Sequence, residues 1–244
     1  MLPNLTFLSR FTYYSVMSKI LYTTRPLSGK HFTLKPLFDQ AAAPKAPEQD
    51  DRLYDPALDE YSHMPEVIGE ISPMGQKAFG KLRGLTSTVM LKGYNSDQYT
   101  VPMEFAPYAE FIQHAINAEH SRTPNAFKRA VLMKMSSPNK GGERWHFDVK
   151  AGTKTPVRTY CCTDIEPTEY ARIKFDTAKV DFPYSEDRAY EFMLAASGFT
   201  RGDESIQAEE FVRMQPFQIA RHNGMTAHRG FNADNRTLLT MIYC

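Results

Sequence analysis

From Arg144 to the C terminus the chain breaks into short runs of strand-forming residues separated by turn formers, and this constrains the fold more than any other feature. The runs cover 144–149, 156–164, 171–175, 211–220, 225–228 and 236–243. Polar turns such as His222-Asn223-Gly224 and Asn232-Ala233-Asp234-Asn235 lie between them. Many short strands with frequent turn signals predict a mainly β chain, a sandwich or small barrel. Helices support it. Phe105, Tyr108, Phe111, Ile112, Ala115 and Ile116 recur at helical spacing on one face. A second helix is predicted over Glu186–Ser197, with Tyr190, Phe192, Met193 and Leu194 as its apolar side.

The first half is less patterned. Residues 85–92 and 98–103 read as strands, with Gly93-Tyr94-Asn95-Ser96 as a hairpin loop between them. Pro73-Met74-Gly75 reads as a turn, and 126–135 as a helix that ends in a strand. Ala41–Asp51 (AAAPKAPEQDD) has the composition of a surface linker. Residues 1–38 hold no Asp or Glu and carry Arg10, Lys19, Arg25, Lys30 and Lys35. That composition fits an organellar transit segment. The other reading is an early strand and loop over Ile20–Leu37 that covers a sheet edge. The expected division is an N-terminal arm and linker over 1–50 and a single domain over 51–244.

Composition narrows the function classes. With 244 residues, 42% hydrophobic and 23% charged, the chain can bury a sizeable core. A net charge of +1 gives no global field to hold a polyanion, which disfavours nucleic acid as a partner. No run of 18 or more apolar residues marks a membrane span. The three cysteines, Cys161, Cys162 and Cys244, form neither a disulfide framework nor a CxxC motif. Buried free thiols in a reducing compartment, the cytoplasm, are expected.

Two stretches carry the chemistry. In Arg144-Trp145-His146-Phe147-Asp148, His146 and Asp148 stand at i and i+2, which on a strand puts both on one face and turns Phe147 into a core. A histidine and a carboxylate side by side make two thirds of a metal face, and a further histidine must come from elsewhere. Two histidines and one carboxylate leave positions open for cosubstrate and dioxygen, the arrangement expected of non-haem iron(II). The later stretch, His222 to Arg236, offers both His222 and His228. His228 is preferred because the strongly apolar strand opened by Arg236 begins a turn later. His222 then becomes a turn residue or a neighbour of the ligands. An arginine entering an apolar strand is costly to bury unless it meets an anion, and its planar fork suits a carboxylate.

The order is thus HxD, about eighty residues, His, then Arg eight further on. This resembles the iron(II)- and 2-oxoglutarate-dependent oxygenase superfamily, over roughly residues 130–244. The resemblance implies a double-stranded β-helix, or jelly roll. It implies iron(II) held by His146, Asp148 and His228, and Arg236 binding the distal carboxylate of the cosubstrate 2-oxoglutarate. The implied reaction consumes dioxygen, releases succinate and carbon dioxide, and most commonly hydroxylates the substrate. Asp148, rather than a small residue, argues against the halogenating variant. A small-molecule or amino-acid-like substrate is expected. Two other classes remain: a cupin-type metal enzyme without 2-oxoglutarate, distinguished by indifference to Arg236, and a non-catalytic jelly-roll binding protein, distinguished by its metal content.

Overall fold

The computed structural model describes residues 29–37, 60–79, 87–92, 98–122, 130–136, 144–148, 158–176, 178, 197–198, 206–231 and 236–243. The 41–51 linker, the 93–96 loop and the body of the helix expected over 186–197 lie outside them, as do residues 1–28. The described strands are β1 (His31–Leu34), β2 (Glu66–Glu70), β3 (Ser87–Lys92), β4 (Tyr99–Pro102), β5 (Ala130–Ser136), β6 (Arg158–Thr163), β7 (Glu169–Arg172), β8 (Glu210–Arg213), β9 (Gln218–Asn223), β10 (Ala227–Arg229) and β11 (Thr237–Tyr243). Two helices are described, α1 (Pro73–Phe79) and α2 (Ala109–Arg122), the latter entered through a 3-10 helix over Met103–Tyr108. No helix among the described residues is long and apolar enough to cross a membrane.

Six strands form one antiparallel sheet in the order β2-β9-β6-β11-β5-β3, and three form a second in the order β10-β7-β8. His146 bridges to His228 on the free side of β10, extending the smaller sheet by one short segment. From β5 onward the chain therefore alternates between sheets: β5 large, His146 small, β6 large, β7 and β8 small, β9 large, β10 small, β11 large. That alternation is the double-stranded β-helix, so the mainly β jelly roll with helical support is the observed fold.

Strand β6 shows how the layers are held. Its six residues are all buried, so both faces are covered. Tyr160 and Cys162 join Tyr99, Phe111, Ile112, Ala115, Ile116, Leu239 and Met241 in a core between the large sheet and α2. Cys161 points the other way, into a smaller cluster with Tyr170, Met214 and Ala220 between the two sheets. The period of two places alternate residues of one strand in different cores. The apolar positions expected on α2 are the ones that dock it, and Phe111 and Ile112, both fully buried, contribute about 1.5–3 kcal/mol each.

Two expectations from the first half change. Strands β3 and β4 do not form a hairpin: β3 pairs with β5, and β4 pairs with β1. The early strand is present over His31–Leu34 and pairs along the edge of β4. Pro73-Met74-Gly75 is the first turn of α1. Ser72 stands just before it, and its hydroxyl accepts a hydrogen bond from Gly75 N at 3.3 Å. Pro73 then occupies the first helical position, where its missing N–H costs nothing.

Gly75 is required by packing. Glu110 of α2 accepts hydrogen bonds from Ser72 N at 2.7 Å and Ser72 Oγ at 2.8 Å, fixing its carboxylate against the start of α1. A Cβ at position 75 would collide with Glu110 Oε2 and stand 2.6 Å from Ile71 Cγ2. Gly75→Ala is therefore expected to destabilise the fold by about 1–3 kcal/mol. Helix propensity alone would predict a gain of about 1 kcal/mol. Urea unfolding gives the sign.

Candidate metal centre

The site begins with a backbone pairing. His146 N donates to His228 O and His228 N donates to His146 O, both at 3.0 Å. Directly opposed residues of an antiparallel pair present their side chains on the same face. The two imidazoles accordingly lie side by side, tilted, with centroids 4.3 Å apart. Two residues on, Asp148 returns to that face, with Oδ1 3.7 Å from His228 Nε2. One ligand atom from each of His146, Asp148 and His228 lies within 4.8 Å of the others. Phe147 turns away, buried beside Phe175. Trp145 is buried too, against Phe211 and under the Arg229 guanidinium.

The approach of β10 is set by the turn that precedes it. Asn223 Oδ1 accepts from Met225 N at 2.9 Å, and Thr226 N donates to Asn223 O at 3.1 Å. Asn followed by Gly suits such a reversal. It carries the chain from β9 to β10 within four residues and leaves the His222 and His228 rings 4.5 Å apart.

Both outer histidines are held in one tautomer. His146 Nδ1 lies 2.7 Å from Arg144 O, and His228 Nδ1 lies 3.0 Å from Thr226 O. A carbonyl only accepts, so each Nδ1 carries the hydrogen and each Nε2 of the neutral ring presents a lone pair. Burial, reinforced by the neighbouring His146, pushes the His228 imidazole down to about 3, so it is neutral at pH 7. Burial alone would push the Asp148 carboxyl up. The three histidines around it outweigh that and hold it well below the usual carboxylate range. Two imidazole Nε2 atoms and an ionised carboxylate oxygen suit a first-row divalent metal, and they leave part of its coordination sphere to other ligands.

His222 has a different setting. Its Nε2 lies 3.3 Å from Asp148 Oδ2, and its Nδ1 shares a hydrogen bond of 3.1 Å with the Tyr170 hydroxyl. Burial would lower its pKa, but Asp148 and Cys161 lift it to about 9. Thr159 Oγ1 donates to the same Asp148 Oδ2 at 3.2 Å.

Arg236 stands immediately before β11 and is 3% exposed. Nη1 donates to Phe231 O at 3.4 Å, while Nε and Nη2 have no hydrogen-bond partner among the described residues. Burial lowers its pKa, and its charge is felt by Cys161 and Tyr170 in the space between the sheets. A buried guanidinium with two orphaned nitrogens has the charge and the donors to receive an anion.

Arg221 and Arg229, the other arginines of the stretch, are engaged elsewhere. Arg221 lies 3.7 Å from Glu66, and Arg229 meets Glu169 at 2.7 Å. His120 of α2 is buried and hydrogen-bonded to Tyr99 at 3.2 Å. Sequence reasoning missed Tyr170 and Cys161. The strand alternation that places Thr159 inside also places Cys161 inside, and this was the available signal. Tyr170 had none.

No family profile and no curated protein matches the sequence. Among solved structures, the chain is similar to EvdO2 from Micromonospora carbonacea var. aurantiaca complexed with 2-oxoglutarate, at 10% identity and a TM-score of 0.36, over 65% of this chain and 66% of that one. It is also similar to the Escherichia coli ribosomal oxygenase YcfD, at 10% identity and a TM-score of 0.31, over 80% of this chain and 53% of that one. The chain thus spans about two thirds of the first and about half of the second. These likenesses are distant, and the fold assignment rests on the strand order described above.

Proposed function

We propose that the chain is a non-haem iron(II)- and 2-oxoglutarate-dependent oxygenase that hydroxylates a small-molecule or amino-acid-like substrate, within a single domain over residues 51–244. His146 Nε2, Asp148 Oδ1 and His228 Nε2 are the metal ligands, and Arg236 anchors the distal carboxylate of 2-oxoglutarate. The observation that carries this reading is the buried Arg236, with Nε and Nη2 unpartnered among the described residues. A metal site alone fits many chemistries. A metal site, together with an unmatched buried cation whose charge is felt by Tyr170 beside His222 and His228, fits a cosubstrate that is a chelator at one end and a carboxylate at the other.

Bound iron would supply the oxidation chemistry, coupling the use of dioxygen to decarboxylation of 2-oxoglutarate to succinate and carbon dioxide. The protein's own residues bind and orient. The Nδ1 hydrogens on Arg144 O and Thr226 O fix the rings of His146 and His228. The Arg236 fork sets the direction of the cosubstrate. Met214, Val212 and Leu238, packed against Cys161 and Tyr170, keep the inter-sheet space apolar around it.

The test is anaerobic addition of iron(II) and 2-oxoglutarate to the metal-free protein, following the weak visible charge-transfer band. The wild type is expected to develop the band and His228→Ala to lose it. Iron binding without any band would favour a cupin-type enzyme. No iron binding would overturn the ligand assignment.

A further inference from the structure

Asp148 has two carboxylate oxygens, and the protein engages them differently. Oδ1 faces His228 Nε2 at 3.7 Å. Oδ2 is turned the other way, taking hydrogen bonds from Thr159 Oγ1 at 3.2 Å and His222 Nε2 at 3.3 Å. The convergence comes from the sheet: Thr159 on β6 and His222 on β9 are directly opposed partners, so their side chains stand on one face and reach the same oxygen.

The chemistry of the contact fixes the role of His222. A carboxylate oxygen accepts only, so His222 Nε2 must carry a hydrogen whatever the state of Nδ1. A nitrogen that carries a hydrogen has no lone pair for a metal. The ring cannot easily turn to offer another edge. Its side chain is 2% exposed, its Nδ1 is held by the Tyr170 hydroxyl, and that hydroxyl lies 3.1 Å from Cys161 Sγ. The Tyr170 ring packs edge-on against it at 5.4 Å.

Resting on the metal reading above, we propose that His222 is a positioning residue: with Thr159 it holds Asp148 Oδ2 away from the metal, so that Asp148 ligates through Oδ1 alone. A carboxylate released from that grip is free to chelate through both oxygens, taking up a position that the cosubstrate or dioxygen requires, or to rotate away. Outer partners of this kind typically contribute 10- to 100-fold to metal affinity.

The experiment uses cobalt(II), a spectroscopic reporter, titrated into the metal-free full chain, with affinity and the visible d–d spectrum both recorded. His222→Leu is expected to weaken cobalt binding by about 10- to 100-fold and to alter the spectrum as the carboxylate changes its mode. His222→Gln, whose amide can donate to Oδ2, is expected to restore both, which a merely space-filling role would not predict. Thr159→Val removes the second donor from a folded background and should shift the spectrum in the same direction as His222→Leu. Wild-type affinity and spectrum in both His222→Leu and Thr159→Val would overturn the positioning role and leave the metal site standing. Loss of cobalt in His222→Gln as complete as in His228→Ala would make His222 a ligand and overturn the proposal. Failure of the wild type to bind cobalt would remove the metal reading itself, and the inference with it.

Discussion

Arg236→Met is expected to stabilise the ligand-free protein and to weaken 2-oxoglutarate binding severely, two effects of opposite sign from one substitution. The guanidinium is 3% exposed, with two nitrogens unpartnered among the described residues and a third in a long 3.4 Å bond. Its depressed pKa says the same thing, since burial penalises its charge more than the nearby acidic groups favour it. Replacing such a group by an apolar side chain of similar length is expected to be neutral or stabilising by up to about 4 kcal/mol. With manganese(II) and 2-oxoglutarate present the gap should narrow, and the order should invert wherever the apolar gain is below about 2.7 kcal/mol. The wild type gains about 2.7 kcal/mol at a hundredfold excess over Kd. The variant loses about 2–5 kcal/mol of binding free energy, roughly 30-fold or more in affinity. Denaturant unfolding with and without the two ligands reads both effects. A variant less stable than wild type in the absence of ligand would show that Arg236 is a structural anchor, with no cosubstrate to meet.

What the sequence made legible follows the range of the interactions concerned. The strand-rich run from β6 to β11 is legible because strand composition is local, and α2 because its apolar stripe is local, but the single strand expected over 211–220 is divided between β8 and β9, which lie in different sheets. The pairing of β3 was not legible. The Gly93–Ser96 turn chemistry pointed to a hairpin, but partners are chosen by the faces that β5 and β1 offer, and those lie far along the chain. Pro73-Met74-Gly75 misled for a related reason. Proline and glycine mark turns in general, whereas here Ser72 caps a helix and Gly75 makes room for Glu110, 35 positions away. The centre divides in the same way. His146, Asp148, His228 and Arg236 could be picked out by residue type and spacing. The 3.0 Å backbone pairing that sets His146 beside His228 is a long-range register that no local pattern encodes. His222 reads as a rival ligand in the sequence because nothing in its neighbours reveals Asp148 Oδ2, 74 positions back, as its partner.

The largest loss of stability is expected from Glu119→Ala. Arg158 Nη2 and Glu119 Oε1 form an ion pair of 2.8 Å in which both side chains are almost wholly buried, and the Tyr160 hydroxyl donates to Glu119 Oε2 at 2.8 Å. One carboxylate on α2 therefore satisfies two groups on β6. Its removal takes from the core the carboxylate that Arg158 and Tyr160 share, at a cost of about 3–5 kcal/mol. The double variant Arg158→Met/Glu119→Leu removes both charges and should recover part of the loss, which a double-mutant cycle separates from the loss of packing. The site provides the control. Arg158 and Tyr160 face α2 while Thr159, between them, faces Asp148, so alternate residues of one strand serve the helix and the metal centre. Folded Glu119→Ala is therefore expected to bind cobalt(II) with wild-type affinity despite its lowered unfolding midpoint. A fall in cobalt affinity in proportion to the lost stability would mean that the two faces of β6 are coupled, and that docking of α2 helps to set the geometry of the centre.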